Sequence, residues 1–128
     1  MDVFLTFRFI FKYSYILEIE NYPQLREIIE RDYNTFSGLM LERYFHRAAI
    51  ESGKFTCIGR WWDRKSENEI DMIAEDELSD VVTFYEIKRQ KSEINLNELK
   101  RRTDVFLSAT HQFIKYRINY EGLSMSDM

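Results

Sequence analysis

The stretch that decides the fold is Glu69-Ile-Asp-Met-Ile-Ala74, followed by an acidic turn and then Val81-Val-Thr-Phe-Tyr-Glu-Ile-Lys88-Arg-Gln-Lys91. Two apolar, β-branched runs separated by polar residues predict a β-hairpin. Antiparallel pairing then brings Asp71, near the start of the first strand, beside Glu86 and Lys88, near the end of the second. Strand side chains alternate, so Glu86 and Lys88 leave one face and Ile87 the other. Burying an unpartnered ion costs several kcal/mol. Two carboxylates and an ammonium on so apolar a hairpin therefore imply mutual pairing, a bound cation, or both.

Working outward, Phe55-Thr-Cys-Ile-Gly-Arg-Trp-Trp62 predicts a strand before this hairpin, which makes an antiparallel three-strand meander. After it, Leu96, Leu99, Thr103, Phe106, Leu107 and Thr110 have helical spacing, and residues 112–120 alternate as a last strand. A helix between two strands of one sheet is a crossover, so that strand runs parallel to the one carrying Glu86. Before the sheet, Asn21 and Pro23 mark the start of a helix ending near Asp32 to Asn34, with Leu25, Ile28 and Ile29 as its apolar stripe. A second helix is expected from about Thr35 to Ser52, closed by Gly53 as a left-handed cap. Leu41, Phe45 and Ala48 centre its apolar face, with Glu42 at the flank beside Gly38 and Ala49. Residues 3–18 are rich in Phe and Tyr and read equally as helix or extended chain. The tail from Leu123 is expected to fray.

A length of 128 residues gives one domain with room for a core, and a net charge of −4 with scarce glycine and proline argues for a compact α/β or α+β chain. The acidic balance disfavours generic nucleic-acid binding but leaves space for a local basic patch. Cys57 is the single cysteine, so no internal disulfide forms; with His46 and His111 alone for company it makes no zinc pattern. Cys57 reads as a small core residue, the compartment as reducing and cytoplasmic, and both histidines as helix-surface residues. Arg8 and Lys12 interrupt the aromatic lead-in, which is too short to cross hydrocarbon, so no membrane span or signal peptide is expected.

With this order in place, Glu42 on the helix before the sheet, Asp71 on the second strand and Glu86-Ile-Lys88 on the third resemble the signature of the restriction-endonuclease-like, or PD-(D/E)xK, superfamily. Ile70 stands before Asp71 where that motif often has proline. A closer resemblance covers nearly the whole chain. Phe4-Leu-Thr-Phe-Arg-Phe, Tyr33-Asn-Thr-Phe-Ser-Gly, Gly59-Arg-Trp-Trp, Glu69-Ile-Asp and Tyr85-Glu-Ile-Lys are similar to the uncharacterised nuclease-like domain at the C-terminus of archaeal-type AAA+ ATPases, also found in bacteria.

The resemblance implies an α/β restriction-endonuclease-like core over 35–128 (helix, three-strand antiparallel meander, helix, strand). Residues 1–34 would be an aromatic and helical extension packing on the core or on a preceding domain. It also implies an ATPase domain and a winged helix before residue 1; the only glycines here are 38, 53, 59 and 122, so no phosphate loop lies in this chain. The implied activity is Mg²⁺- or Mn²⁺-dependent hydrolysis of nucleic acid. Asp71, Glu86 and Glu42 with the Ile87 carbonyl would ligate the ion, and Lys88 would stabilise the transition state.

Arg89, Lys91, Lys100, Arg101 and Arg102 are a phosphate-contacting patch or a solvated helix face, partly cancelled by Glu93 and Glu98. Trp61 and Trp62 stack on bases or on a partner, although alternation sends one of the two into the core. The competing reading of the charged quartet is a buried ion-pair network in a module that regulates the ATPase without cleaving anything.

Overall fold

The computed structural model describes residue 20 and residues 22–128, without the side chains at 25, 29, 34 and 36. The aromatic segment 3–18 and the side chains of Leu25 and Ile29 thus lie outside the described residues. The chain divides into two compact units, 1–40 and 41–128. The element order is helix α1 (Tyr22–Ser52), strands β1 (Cys57–Trp62), β2 (Glu69–Asp76) and β3 (Val81–Ile87), a 3₁₀ turn at Lys91–Glu93, helix α2 (Leu96–Ala109), strand β4 (Arg117–Leu123) and a last 3₁₀ turn at Met125–Asp127.

Where the sequence predicted two helices, one helix of 31 residues runs through. The weak helix formers Asn34, Thr35, Ser37 and Gly38 each cost at most about 1 kcal/mol, and without a proline among them nothing removes a backbone hydrogen bond. In the first unit, Arg26 and Arg31 pair on the helix surface with Glu30 and Asp32. The helix ends as expected, with Gly53 at φ +68 and its N–H donating to the Ile50 carbonyl.

The second unit holds a four-stranded mixed sheet in the order β1-β2-β3-β4, with β4 parallel to β3 and the other pairs antiparallel. One face packs on the last turns of α1: Leu41 and Phe45, with half-buried Ala49, meet Met72, Ala74, Tyr85 and Ile87. Their i, i+4, i+8 spacing leaves Ala48 exposed, not central as the sequence suggested. On the opposite face, Leu99 of α2 and Phe113 pack with Ile70, Ile73, Val82 and Phe84, flanked by Trp61 and Phe106. Trp61 is therefore the core member of its pair, and Trp62 is 56% exposed.

Three details differ from the sequence reading. Residues 112–116 form turns before β4, with the Phe113 ring edge-on to Phe84 and Tyr116. The tail is not frayed: Ser124 is buried and exchanges capping hydrogen bonds with Asp127. Cys57 is exposed, because it opens an edge strand on its outward side.

Gly122 stands beside Glu86 in the β3-β4 register, and a Cβ there would lie 2.9 Å from Ile94 Cδ1 and closer still to Cγ2. The missing side chain lets the segment entering α2 lie against β4. Gly122→Ala should therefore cost about 1–3 kcal/mol in urea unfolding, the usual range for overpacking; an unchanged midpoint would show that Ile94 simply moves aside.

Candidate functional site at the β2 bulge

Gly59 pairs with Ile73 and Trp61 with Ile70, so two residues of β2, Asp71 and Met72, stand opposite Arg60 alone. This β-bulge shifts the phase of the strand. Ile70 packs on the α2 side, whereas Met72 and Ala74 pack on the α1 side. The bulge is held from α1 by His46, whose Nε2–H donates to the Asp71 carbonyl at 2.8 Å; a carbonyl only accepts, which fixes the tautomer. Asp71 Oδ2 accepts the Ile87 N–H at 2.8 Å, tying the bulge to the end of β3.

Around Asp71 the structure gathers charge from four places. Glu42 lies one helical turn before His46 and is half-buried. Its carboxyl is pushed from the usual 4.5 to about 7, first by burial and then by the Asp71 carboxylate, with Arg60 and Lys88 pulling the other way and Glu69 adding to the rise. The Asp71 carboxyl is also raised by burial, against the Ile87 N–H and the Lys88 ammonium. Glu42, Asp71 and Lys88 thus act on one another electrostatically, whereas the sequence reading had grouped Glu86 with all three.

Glu86 belongs to a different set of bonds. It is 4% exposed. Its Oε1 accepts from Arg102 Nη2 at 2.7 Å and its Oε2 accepts the backbone N–H of Asn95 at 2.7 Å. Asn95 is the N-cap of α2, so the carboxylate sits at a helix N-terminus, where backbone donors and the helix dipole favour negative charge. Among the described residues no three His, Cys, Asp or Glu side chains are grouped so as to hold a metal ion.

Two members of the predicted basic patch, Arg101 and Arg102, are engaged by partners within the fold. Arg102 is half-buried and donates to Glu86 and to the carbonyls of Glu69 and Glu98. Arg101 pairs with Glu98 and reaches Asn68, and the Lys100 ammonium lies 5.4 Å from the Tyr120 ring centre. Lys91 is exposed; Arg89 is half-buried, and its carbonyl accepts the Met125 N–H. The sequence reading missed His46, Arg60 and Glu69. His46 follows Glu42 by four residues, a spacing that already puts both on one helix face.

This arrangement defines a mixed α/β domain with a half-buried acidic pair and a lysine beside a strand bulge, and among the described residues no helix is long and apolar enough to cross a membrane. Over residues 6–109 the chain matches the DUF234 family, described as archaeal and bacterial proteins of unknown function, and it belongs to that family. No curated protein and no solved structure matches it.

Two measurements check this geometry. The raised Glu42 carboxyl disfavours the folded state as pH climbs from 4.5 through about 7, because the unfolded chain releases that proton first. Glu42→Gln should hence be the more stable protein at pH 8, by about 1 kcal/mol after allowing for solvent screening, and equal to the parent at pH 4. Arg102→Ala should cost roughly 3–5 kcal/mol at pH 7, since it leaves Glu86 buried and unpaired; a loss under 1 kcal/mol in chemical denaturation would mean that Glu86 reaches water.

Proposed function

We propose that this domain hydrolyses nucleic-acid phosphodiesters with Mg²⁺ or Mn²⁺, on a restriction-endonuclease-like core, as the C-terminal part of a cytoplasmic AAA+ ATPase that also carries a winged helix. The observation that carries this reading is the half-buried Glu42 and Asp71 pair, each with a raised carboxyl, beside the Lys88 ammonium. Two like charges held half out of water call for a neutralising partner, and a hard divalent cation bound through one or two carboxylates with its remaining waters suits these donors. Asp71 would offer Oδ1, since Oδ2 already accepts the Ile87 N–H. Glu86 would join while its oxygens also accept from Arg102 and Asn95, or by exchanging one of them for the ion.

When bound, such an ion polarises the phosphate and lowers the pKa of an attacking water. The chain's own groups would do the rest. Glu42, near half ionisation at neutral pH, is suited to take a proton from that water. Lys88 would stabilise the charge developing on the phosphate oxygens. Nucleic acid is the substrate class that the resemblance to PD-(D/E)xK enzymes supports.

A second reading is a silent interaction module of the same ATPase. It is favoured by Glu86, whose two oxygens are both taken by groups of the fold.

The two part on a pair of variants. With Mg²⁺ or Mn²⁺ the protein, alone or with its ATPase, should nick plasmid, branched or single-stranded substrates, and chelation should stop it. Lys88→Ala should slow cleavage by about 10²-fold or more while keeping the thermal shift caused by the ion. Asp71→Ala should lose both. A parent that shows neither cleavage nor a divalent-ion shift, with Asp71→Ala altering stability alone, would leave the silent module standing.

A further inference from the structure

β1 is an edge strand, and its end turns outward. Trp62 is 56% exposed, and the Arg60 guanidinium carbon lies 5.2 Å from its ring centre. Trp61 is absorbed by the core against Phe106, so the exposure of Trp62 is not a shortage of space for a second indole in the fold alone; it stands on the strand's other face. Beyond it, Arg64 and Lys65 are exposed in the β1-β2 turn, and neither pairs with a carboxylate among the described residues.

The nearest acid in sequence, Asp63, makes no ion pair with them, because its oxygens are turned to the donors of the turn itself. Asp63 Oδ1 accepts the Glu67 N–H and Oδ2 accepts the Asn68 amide, both at 2.9 Å, while the Asp63 N–H donates to the Asn68 carbonyl. Asn68 is fixed in turn by Arg101 of α2. The turn is thereby braced with its basic side chains outward. Glu67 and Glu69 are the other acids of this hairpin, and Glu69 acts on Glu42 and Asp71. Arg60 links the two regions: it stacks on Trp62 and also acts on Glu42.

An exposed indole with cations on both sides suits one ligand chemistry best. Every nucleobase has a π face, stacking on an aromatic side chain tolerates any sequence, and flanking cations take the phosphates. A duplex keeps its bases stacked on each other and offers the indole nothing. We propose that the outer edge of the β1-β2 hairpin binds single-stranded nucleic acid, with Trp62 stacking on an unpaired base and Arg60, Arg64 and Lys65 holding the adjoining phosphates. The role of this edge in delivering a strand to Glu42 and Asp71 rests on the nuclease reading; the binding itself does not.

The test is therefore made without chemistry. Fluorescence anisotropy of labelled 12-nucleotide oligo-dT, oligo-U and a 12-base-pair DNA duplex is followed with the full chain in EDTA at low salt. A single strand should bind more tightly than the duplex; the dT and U arms separate DNA from RNA. Trp62→Ala should weaken single-strand binding by at least about 5-fold, and Trp62→Phe should restore most of it. Replacing Arg64 and Lys65 by alanine should lower the salt slope by about 1. Circular dichroism and melting of each variant show whether it is folded, which an exposed position favours. No single-strand binding, equal binding of the duplex, or a folded Trp62→Ala that binds like the parent would each overturn the proposal. So would sedimentation showing that Trp62→Ala instead dissolves a dimer. Binding in EDTA without cleavage in Mg²⁺ would leave this surface in place and remove the nuclease reading alone.

Discussion

The architecture of the 41–128 unit depends on how one buried carboxylate is compensated. Glu86 sits on the interior strand β3 almost wholly out of water, where a lone charge would cost several kcal/mol. Two groups, both from α2, answer it. α2 brings the Arg102 side chain, the N-cap of α2 brings the Asn95 N–H, and Arg102 continues to the Glu69 carbonyl at the start of β2. The crossover helix is thus fastened to the sheet at both a polar and an apolar level, the second through Leu99 against the Ile70, Val82 and Phe84 layer. Gly122 leaves room for the Ile94–Asn95 segment to enter that arrangement.

The same constraint separates two acids that sequence spacing had put together. An uninterrupted ladder would set Asp71 and Glu86 opposite each other on one face. The bulge opposite Arg60 changes the phase of β2. Asp71 then lies in the field of Lys88 and raises Glu42, while Glu86 turns to Arg102. His46 and the Ile87 N–H hold the bulge from two sides, so the acidic pair rests on a braced backbone. A site of this form holds Glu42 near neutrality, raises Asp71 above its ordinary range by burial, and keeps Glu86 behind an arginine.

Much of this was legible from side-chain type and period. The meander, the crossover helix and the parallel last strand follow from β-branched runs, the 3.6-residue stripe of Leu99, Thr103, Phe106 and Leu107, and the handed logic of crossovers. Gly53 announced its cap, and adjacent tryptophans announced that one would be buried. The continuity of α1 was not legible, because helix propensity is a weak prior and the weak helix formers at 34–38 suggested a stop that no proline enforced. His46 and Cys57 were misjudged for a related reason: their environment depends on which neighbours arrive from distant strands.

The sequence by itself determined the strand order, the crossover helix, and the pairing that brings the β2 start with Asp71 to the β3 end with Glu86 and Lys88. These follow from periodicity and connectivity, which are local properties of the chain. Only the tertiary structure decided which carboxylate faces which partner. A one-residue bulge reverses the face of a side chain without any mark in the period, and the partner of a buried charge is chosen by the geometry of closest approach, as Arg102 at 2.7 Å from Glu86 shows.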